Sequence, residues 1–183
     1  MKLVRVIAGS ARGTKLLYPK GAVIRPTSER VRESLFASLG PDVVGSRFCD
    51  LYAGGGSVGI EALSRGAASV VFVERNRKCL KALRHNLTNT GLADRAIVVE
   101  TDLPGSLAEV WQNSGPFGII FADPPYSTNA TRLLEAAAKL TVHSPDTLFL
   151  LQCDRHDAVD VPEFRQMKTQ EFGDTVVLWY HRR

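Results

Sequence analysis

From residue 46 onward the chain alternates short apolar runs with longer stretches in which apolar residues recur every three or four positions. The runs Arg47–Tyr52, Ser69–Val73, Ala96–Val99, Phe117–Ala122 and Thr147–Cys153 are largely apolar at successive positions, not at every second one. That is the pattern of strands covered on both faces. Helical patterns separate them. Ser57–Arg65 is stopped by Gly66, and Arg77–Asn89 carries Leu80, Leu83 and Leu87 on one face with Gly91 at its end. Leu103–Trp111 and Ala130–Leu140 complete the set. Two further strands, Phe164–Thr169 and Thr175–Tyr180, have only a turn at Gly173-Asp174 between them, so the last strand should run antiparallel. The order predicts an α/β, Rossmann-like, doubly wound sheet of seven strands, mostly parallel with the last reversed.

The first forty residues follow a different pattern. Val4–Ala8 and Lys15–Tyr18 predict a small β-hairpin. Pro26-Thr27-Ser28 then offers a helix start, with Val31, Leu35, Phe36 and Leu39 at helical spacing until Gly40-Pro41 ends it. The chain is therefore expected to divide into an extension, 1–40, packed on a core domain, 41–183.

A chain of 183 residues, 44% hydrophobic and 23% charged, fits one globular domain rather than a disordered segment. No apolar run approaches the ~20 residues of a membrane span. Arg5 interrupts the N-terminal apolar stretch before a signal sequence could form, so a soluble, cytoplasmic protein is expected. Cys49, Cys79 and Cys153 are widely spaced, which argues against a disulfide framework and a cysteine zinc site; no metal is called for. The net charge of +4 is unevenly spread. Residues 1–40 hold eight Lys and Arg against two Glu, a local charge of +6, while the remainder carries −2. Concentrated cations are the footprint of a polyanion partner, and Arg5, Arg12, Lys15, Arg25, Arg30 and Arg32 are the candidate RNA contacts.

In an open α/β sheet, ligands bind beyond the carboxyl ends of the strands. Three such ends carry chemistry here. The first is Asp50-Leu51-Tyr52-Ala53-Gly54-Gly55-Gly56-Ser57-Val58-Gly59, where glycines admit a ligand close to the backbone at a helix N-terminus. Gly54, Gly56 and Gly59 satisfy G-x-G-x-x-G, so a nicotinamide or flavin dinucleotide is equally a candidate on this motif. The second is Glu74, twenty residues beyond Gly54, with Arg75 beside it; a carboxylate there can accept both ribose hydroxyls of an adenosine. Asp102, closing the third strand, could meet an adenine amino group. The third is Asp123-Pro124-Pro125-Tyr126. Two prolines remove two amide donors and leave carbonyls and a carboxylate exposed. An exocyclic aromatic amine is a poor nucleophile, and acceptors on its N–H bonds favour the geometry that points its lone pair at an electrophile. Asp123 can supply one acceptor and the Pro124 carbonyl another, while Tyr126 offers a face on which a base can stack. Adenine N6, cytosine N4 and guanine N2 all present such an amine, and spacing does not choose among them.

The stretch from Asp50 to Ala68, Glu74 and Asp123-Pro-Pro-Tyr resemble the amino-methyltransferases of the Rossmann-like class I fold. Arg5-Val-Ile-Ala-Gly-Ser-Ala-Arg-Gly-Thr-Lys-Leu, Arg25-Pro-Thr-Ser-Glu-Arg-Val-Arg-Glu-Ser-Leu-Phe and the tail Phe172-Gly-Asp-Thr narrow the likeness to the RsmD family. That family methylates guanine N2 in bacterial small-subunit ribosomal RNA, so the resemblance implies modification of one specific guanosine of 16S rRNA. It implies S-adenosyl-L-methionine as cofactor, its methionine part in the loop Asp50–Gly59 with Tyr52 and Ala53, its ribose at Glu74, and its adenine between Asp102 and Leu103. It further implies that Asp123 to Tyr126 hold the guanine amine, and that Arg25, Thr27 and Arg30 lie beside the cofactor and near the RNA path. The implied partner is 16S rRNA within an assembling small ribosomal subunit, met by a monomer, with no membrane involved. Two positions depart from the family pattern. Gly55 stands where a small hydroxyl residue is usual and should make the loop more flexible. Gln152 stands where the fifth strand often carries an acid.

A rival enzyme reading is an NAD-dependent oxidoreductase, which accounts for the glycines and Glu74 but leaves Asp-Pro-Pro-Tyr without a role. A non-catalytic RNA-binding module accounts for the basic extension but not for three polar strand ends converging on one crevice.

Overall fold

A computed structural model describes residues 4–19, 26–125, 129–140, 146–157 and 159–183. The extension opens with strands β1 (Val4–Arg5) and β2 (Lys15–Leu16), paired antiparallel with Val4 opposite Leu16. Beyond the ladder Val6 N still donates to Thr14 O at 3.0 Å and Gly13 N to Val6 O at 2.8 Å, but the amides that follow are drawn elsewhere. Ile7 and Ala8 donate to the Glu61 carboxylate at 2.8 and 3.0 Å, and Leu17 donates to Asn86 Oδ1 at 2.7 Å. Helix α1 (Glu29–Leu39) begins where Ser28 Oγ accepts from Val31 N at 3.3 Å, and it buries Val31, Arg32, Leu35, Phe36 and Leu39.

The core is a seven-stranded sheet built from β3 (Arg47–Leu51), β4 (Ser69–Glu74), β5 (Ala96–Glu100), β6 (Ile119–Ala122), β7 (Leu148–Asp154), β8 (Phe164–Phe172) and β9 (Thr175–Arg182). Their spatial order is β5-β4-β3-β6-β7-β9-β8. β9 alone runs against the direction of the other six strands, and it follows β8 through the turn at Gly173, whose φ of 70° suits glycine. The fold class therefore agrees with the pattern of apolar runs.

Successive residues of each central strand serve opposite faces. Phe48, Val70, Phe72, Ile119, Phe121 and Leu150 pack with α1, α2 (Ser57–Ser64) and α3 (Arg77–Thr90). Cys49, Leu51, Val71, Val73, Ile120, Phe149 and Leu151 pack on the other side with α4 (Leu107–Ser114) and α5 (Ala130–Ala138). The α4 helix starts four residues later than its apolar periodicity suggests. Pro104 and Gly105 form a turn in which Leu107 N donates to Pro104 O at 3.1 Å, and the helix propagates only beyond it.

The strand order reverses between β3 and β6, the switch point at which a doubly wound sheet opens a crevice. The helix following β3 sits unusually close to the sheet. A Cβ on Gly59 would stand 2.3 Å from Phe72 Cε1 and 2.9 Å from Val70 Cγ1. Gly59→Ala is accordingly expected to cost about 1–3 kcal/mol, the usual range for overpacking a core. Urea denaturation measures it, and an unchanged midpoint would show that α2 can slide outward freely.

Candidate functional site

Three loops meet at the switch point. The first leaves β3. Asp50, 2% exposed, accepts from Gly59 N at 2.9 Å, so Gly59 serves the crevice through this hydrogen bond and through close packing. Burial pushes the Asp50 carboxyl up to about 7, with Asp123 and Glu74 adding to the rise and the Gly59 amide opposing it. Tyr52 has φ of 60°, a left-handed conformation that turns the chain sharply out of the strand. Ala53 N returns to Val73 O at 3.0 Å, and Gly56, φ 81°, leads into α2.

Glu74, at the end of β4, is more occupied than a waiting ribose acceptor. Its Oε2 accepts from Gly54 N at 2.8 Å, and its Oε1 from Arg75 N and Asn76 N at 2.8 and 2.7 Å. One carboxylate thus ties the glycine loop to the next strand end, with its remaining lone pairs left for a ligand. Arg75 and Asp102 form an exposed ion pair at 3.0 Å, and Leu103 is buried beside them.

Asp123 follows β6, its amide directed to Leu51 O at 3.4 Å. Thr27, from the extension, donates its hydroxyl to Asp123 Oδ2 at 3.3 Å. The Gln152 side chain supplies a second hydrogen bond. Burial nevertheless raises this carboxyl to about 7, the two hydrogen bonds only moderating the rise. Pro124 is half-buried and Pro125 exposed. Tyr126 lies outside the described residues, as does Arg25. The site so assembled brings Thr27, Asp50, the loop to Gly59, Glu74 and Asp123 to one region of the sheet. Among the described residues no group of three or more His, Cys, Asp or Glu could hold a metal ion.

The basic residues of the extension separate into two kinds. Arg5, Arg12, Lys15 and Arg30 are exposed, and Arg5 and Lys15 are register partners across the hairpin. Arg32 is not available to RNA. It is 1% exposed, pairs with Glu61 at 3.5 Å and donates to Arg5 O at 2.9 Å. Its position three residues before Leu35 places it on the buried face of α1, so Arg32 is an internal cation and not the surface RNA contact expected from the sequence.

Sequence reasoning missed two residues. Asn86, fully buried on α3, accepts from Leu17 N and donates Nδ2 to Leu17 O at 3.0 Å and to Gly55 O at 2.9 Å. Tyr18, its phenol hydrogen-bonded to Ser57 and raised to about 12 by burial, lies across Gly55. A Cβ on Gly55 would approach Tyr18 Cζ to 2.9 Å. Gly55 is thus no source of looseness: its carbonyl is held by Asn86 and the missing side chain makes room for a ring. The signal for Asn86 was an amide set among Leu80, Leu83 and Leu87; no pattern pointed to Tyr18.

Known proteins resemble the chain over most of its length. Residues 4–181 match the family model Conserved hypothetical protein 95. Ribosomal RNA small subunit methyltransferase D of Haemophilus influenzae is 34% identical over 164 residues, covering 87% of this chain and 83% of that protein. The Escherichia coli (strain K12) protein of the same name is 42% identical over 123 residues, 67% of this chain and 60% of its own length. A hypothetical protein of Thermus thermophilus superposes with a TM-score of 0.81 at 29% identity, covering 96% of this chain and 98% of that one. An RNA methyltransferase from Salinibacter ruber, crystallised with S-adenosyl-L-homocysteine, shares the fold at a TM-score of 0.68 and 20% identity, covering 86% and 94%. The match across residues 4–181 and the Haemophilus identity over most of both chains place this protein in the RsmD family, on the class I methyltransferase fold.

Proposed function

We propose that the protein transfers a methyl group from S-adenosyl-L-methionine to the exocyclic N2 amine of a guanosine in 16S rRNA, acting as a monomer in the cytoplasm on an assembling small subunit. The observation that carries this reading is Asp123: a half-buried carboxylate at the switch point, hydrogen-bonded to Thr27 and Gln152 and followed by two residues with no amide hydrogen. The relatives' names support rRNA as substrate, and the Salinibacter complex supports the cofactor.

In this reading Asp50 faces the methionine ammonium, and the loop through Tyr52, Ala53, Gly54 and Gly56 approaches the methionine chain. Glu74 accepts from the ribose, while Asp102, Leu103 and Arg75 border the adenine. The bound cofactor supplies a methyl group activated by a positive sulfur; the amine nitrogen takes it as the carbon–sulfur bond breaks. Asp123 accepts one N–H of the amine, orients the lone pair, and receives the proton that the methylated nitrogen sheds. The Pro124 carbonyl accepts the second N–H, and Tyr126 stacks on the base. Arg5, Arg12, Lys15, Arg25 and Arg30 meet the RNA backbone.

Transfer of labelled methyl to 16S rRNA from a strain lacking the modification, followed by mapping of the product nucleoside, tests the proposal. Label on adenine N6 would replace the guanine assignment, and binding of NAD without S-adenosyl-L-methionine would overturn the whole reading.

A pH dependence follows from Asp123. Its carboxyl ionises near 7 instead of near 4, and the ionised form is the one that accepts the proton. The single-turnover rate should therefore rise with pH and level off above about 7, falling roughly tenfold per unit on the acid side. Asp50 titrates in the same range. The Asp123→Asn variant separates them: its slower reaction should lose the acid limb, and a limb that persists would belong to Asp50.

A further inference from the structure

Gln152 is a polar side chain at the site that the reading above uses only as a donor to Asp123. The pairing of β6 with β7 sets Ala122 beside Leu151, so the next residues, Asp123 and Gln152, stand side by side at the carboxyl ends of adjacent parallel strands. An ionised carboxylate only accepts, so the hydrogen bond between them uses the Gln152 Nε2 as donor. The other half of the amide is then Oε1. It is buried and has no hydrogen-bond partner among the described residues. A buried acceptor left unmade is costly, and the cost is recovered when a ligand brings a donor.

Resting on the functional reading above, we infer that Gln152 reads the base: its Oε1 accepts the N1–H of the target guanine while its Nε2 holds Asp123 ready for the neighbouring N2 amine. The Watson–Crick edge of guanine presents N1–H and N2–H as adjacent donors. Asp123 and Gln152 Oε1 present adjacent acceptors. Adenine places the bare N1 lone pair next to its amine, and that lone pair would face Oε1 acceptor to acceptor. A site whose polar group is left unpaired by the wrong base rejects it. The amide also explains how the chain manages without an acid at this position. A second carboxylate touching Asp123 would share one proton with it and keep one of the two neutral. The amide supplies the acceptor for N1–H and a donor for Asp123 with no added charge.

The experiment uses the full-length protein and 16S rRNA carrying either guanosine or 2-aminopurine riboside at the mapped methylation position, assembled into the particle that proves competent. 2-Aminopurine keeps the 2-amine and lacks N1–H. The wild-type protein should prefer guanosine by about tenfold or more in kcat/KM, and Gln152→Met should reduce that preference to less than about threefold. Calorimetry with S-adenosyl-L-methionine checks that the variant is folded and binds cofactor. The second variant, Gln152→Glu, restores acceptors but adds charge. It should keep the guanosine preference while the acid limb of its pH profile moves up by about one unit. A Gln152→Met protein with the wild-type preference, or a Gln152→Glu protein with an unmoved limb, overturns the inference. Absence of N2-methylguanosine from the wild-type reaction instead overturns the functional reading on which it rests.

Discussion

Asp123→Ala is expected to slow methyl transfer by about a thousandfold while changing the affinity for S-adenosyl-L-methionine by less than about threefold, because it removes the acceptor proposed to act only on the amine. The separation of the two effects follows from placement. Asp123 stands at the end of β6, and the loop proposed to hold the cofactor stands on β3 and β4, fastened by its own hydrogen bonds from Gly54 to Glu74 and from Gly59 to Asp50. Among the described residues, the contact with the extension that the variant loses is the bond from Thr27. Single-turnover transfer and calorimetric titration together measure the result. A variant with full activity would remove Asp123 from the chemistry. A variant that also fails to bind cofactor would make it part of the cofactor pocket.

The second large effect is expected at Glu61, where α2 meets the extension. Its carboxylate, fully buried on α2, accepts from Ile7 N, Ala8 N, Arg32 and Arg65. Glu61→Ala leaves the Arg32 guanidinium in the interior with the Arg5 carbonyl as its remaining hydrogen-bond partner among the described residues, and strands two backbone amides. Loss of one partner of a buried ion pair costs about 3–5 kcal/mol, so the variant should unfold at a much lower denaturant concentration. A loss under about 1 kcal/mol would mean that water replaces the carboxylate and that the extension is held by other contacts.

The arrangement of strands and helices was legible in the chain because a doubly covered sheet needs apolar residues at successive positions, and few other architectures do. The reversed β9 followed from the short turn at Gly173. The strand ends carrying Asp50, Glu74, Asp102 and Asp123 were likewise visible, since the fold itself says where ligands go. What was not legible is internal polarity. Arg32 and Glu61 are a cation and an anion separated by twenty-nine positions, and each looks like a surface residue until the other is placed against it. The same holds for Asn86 and the amide and carbonyl of Leu17, sixty-nine positions away. Hydrophobic periodicity reports which face of an element is buried, but not which polar groups satisfy one another there. Gly55 illustrates the limit: the chain shows the absence of a side chain, and only the fold shows the Tyr18 ring that takes its place.

Asn86 bears on how this protein could be rebuilt. One amide group grips both the strand-end segment at Leu17 and the carbonyl of Gly55. The first forty residues therefore cannot be exchanged with those of a relative as an independent module. A chimaera bringing a smaller residue at position 18 would leave a gap over Gly55, and one bringing a serine at position 55 would make the resident tyrosine ring shift. Grafting has to move positions 18, 55 and 86 as a set.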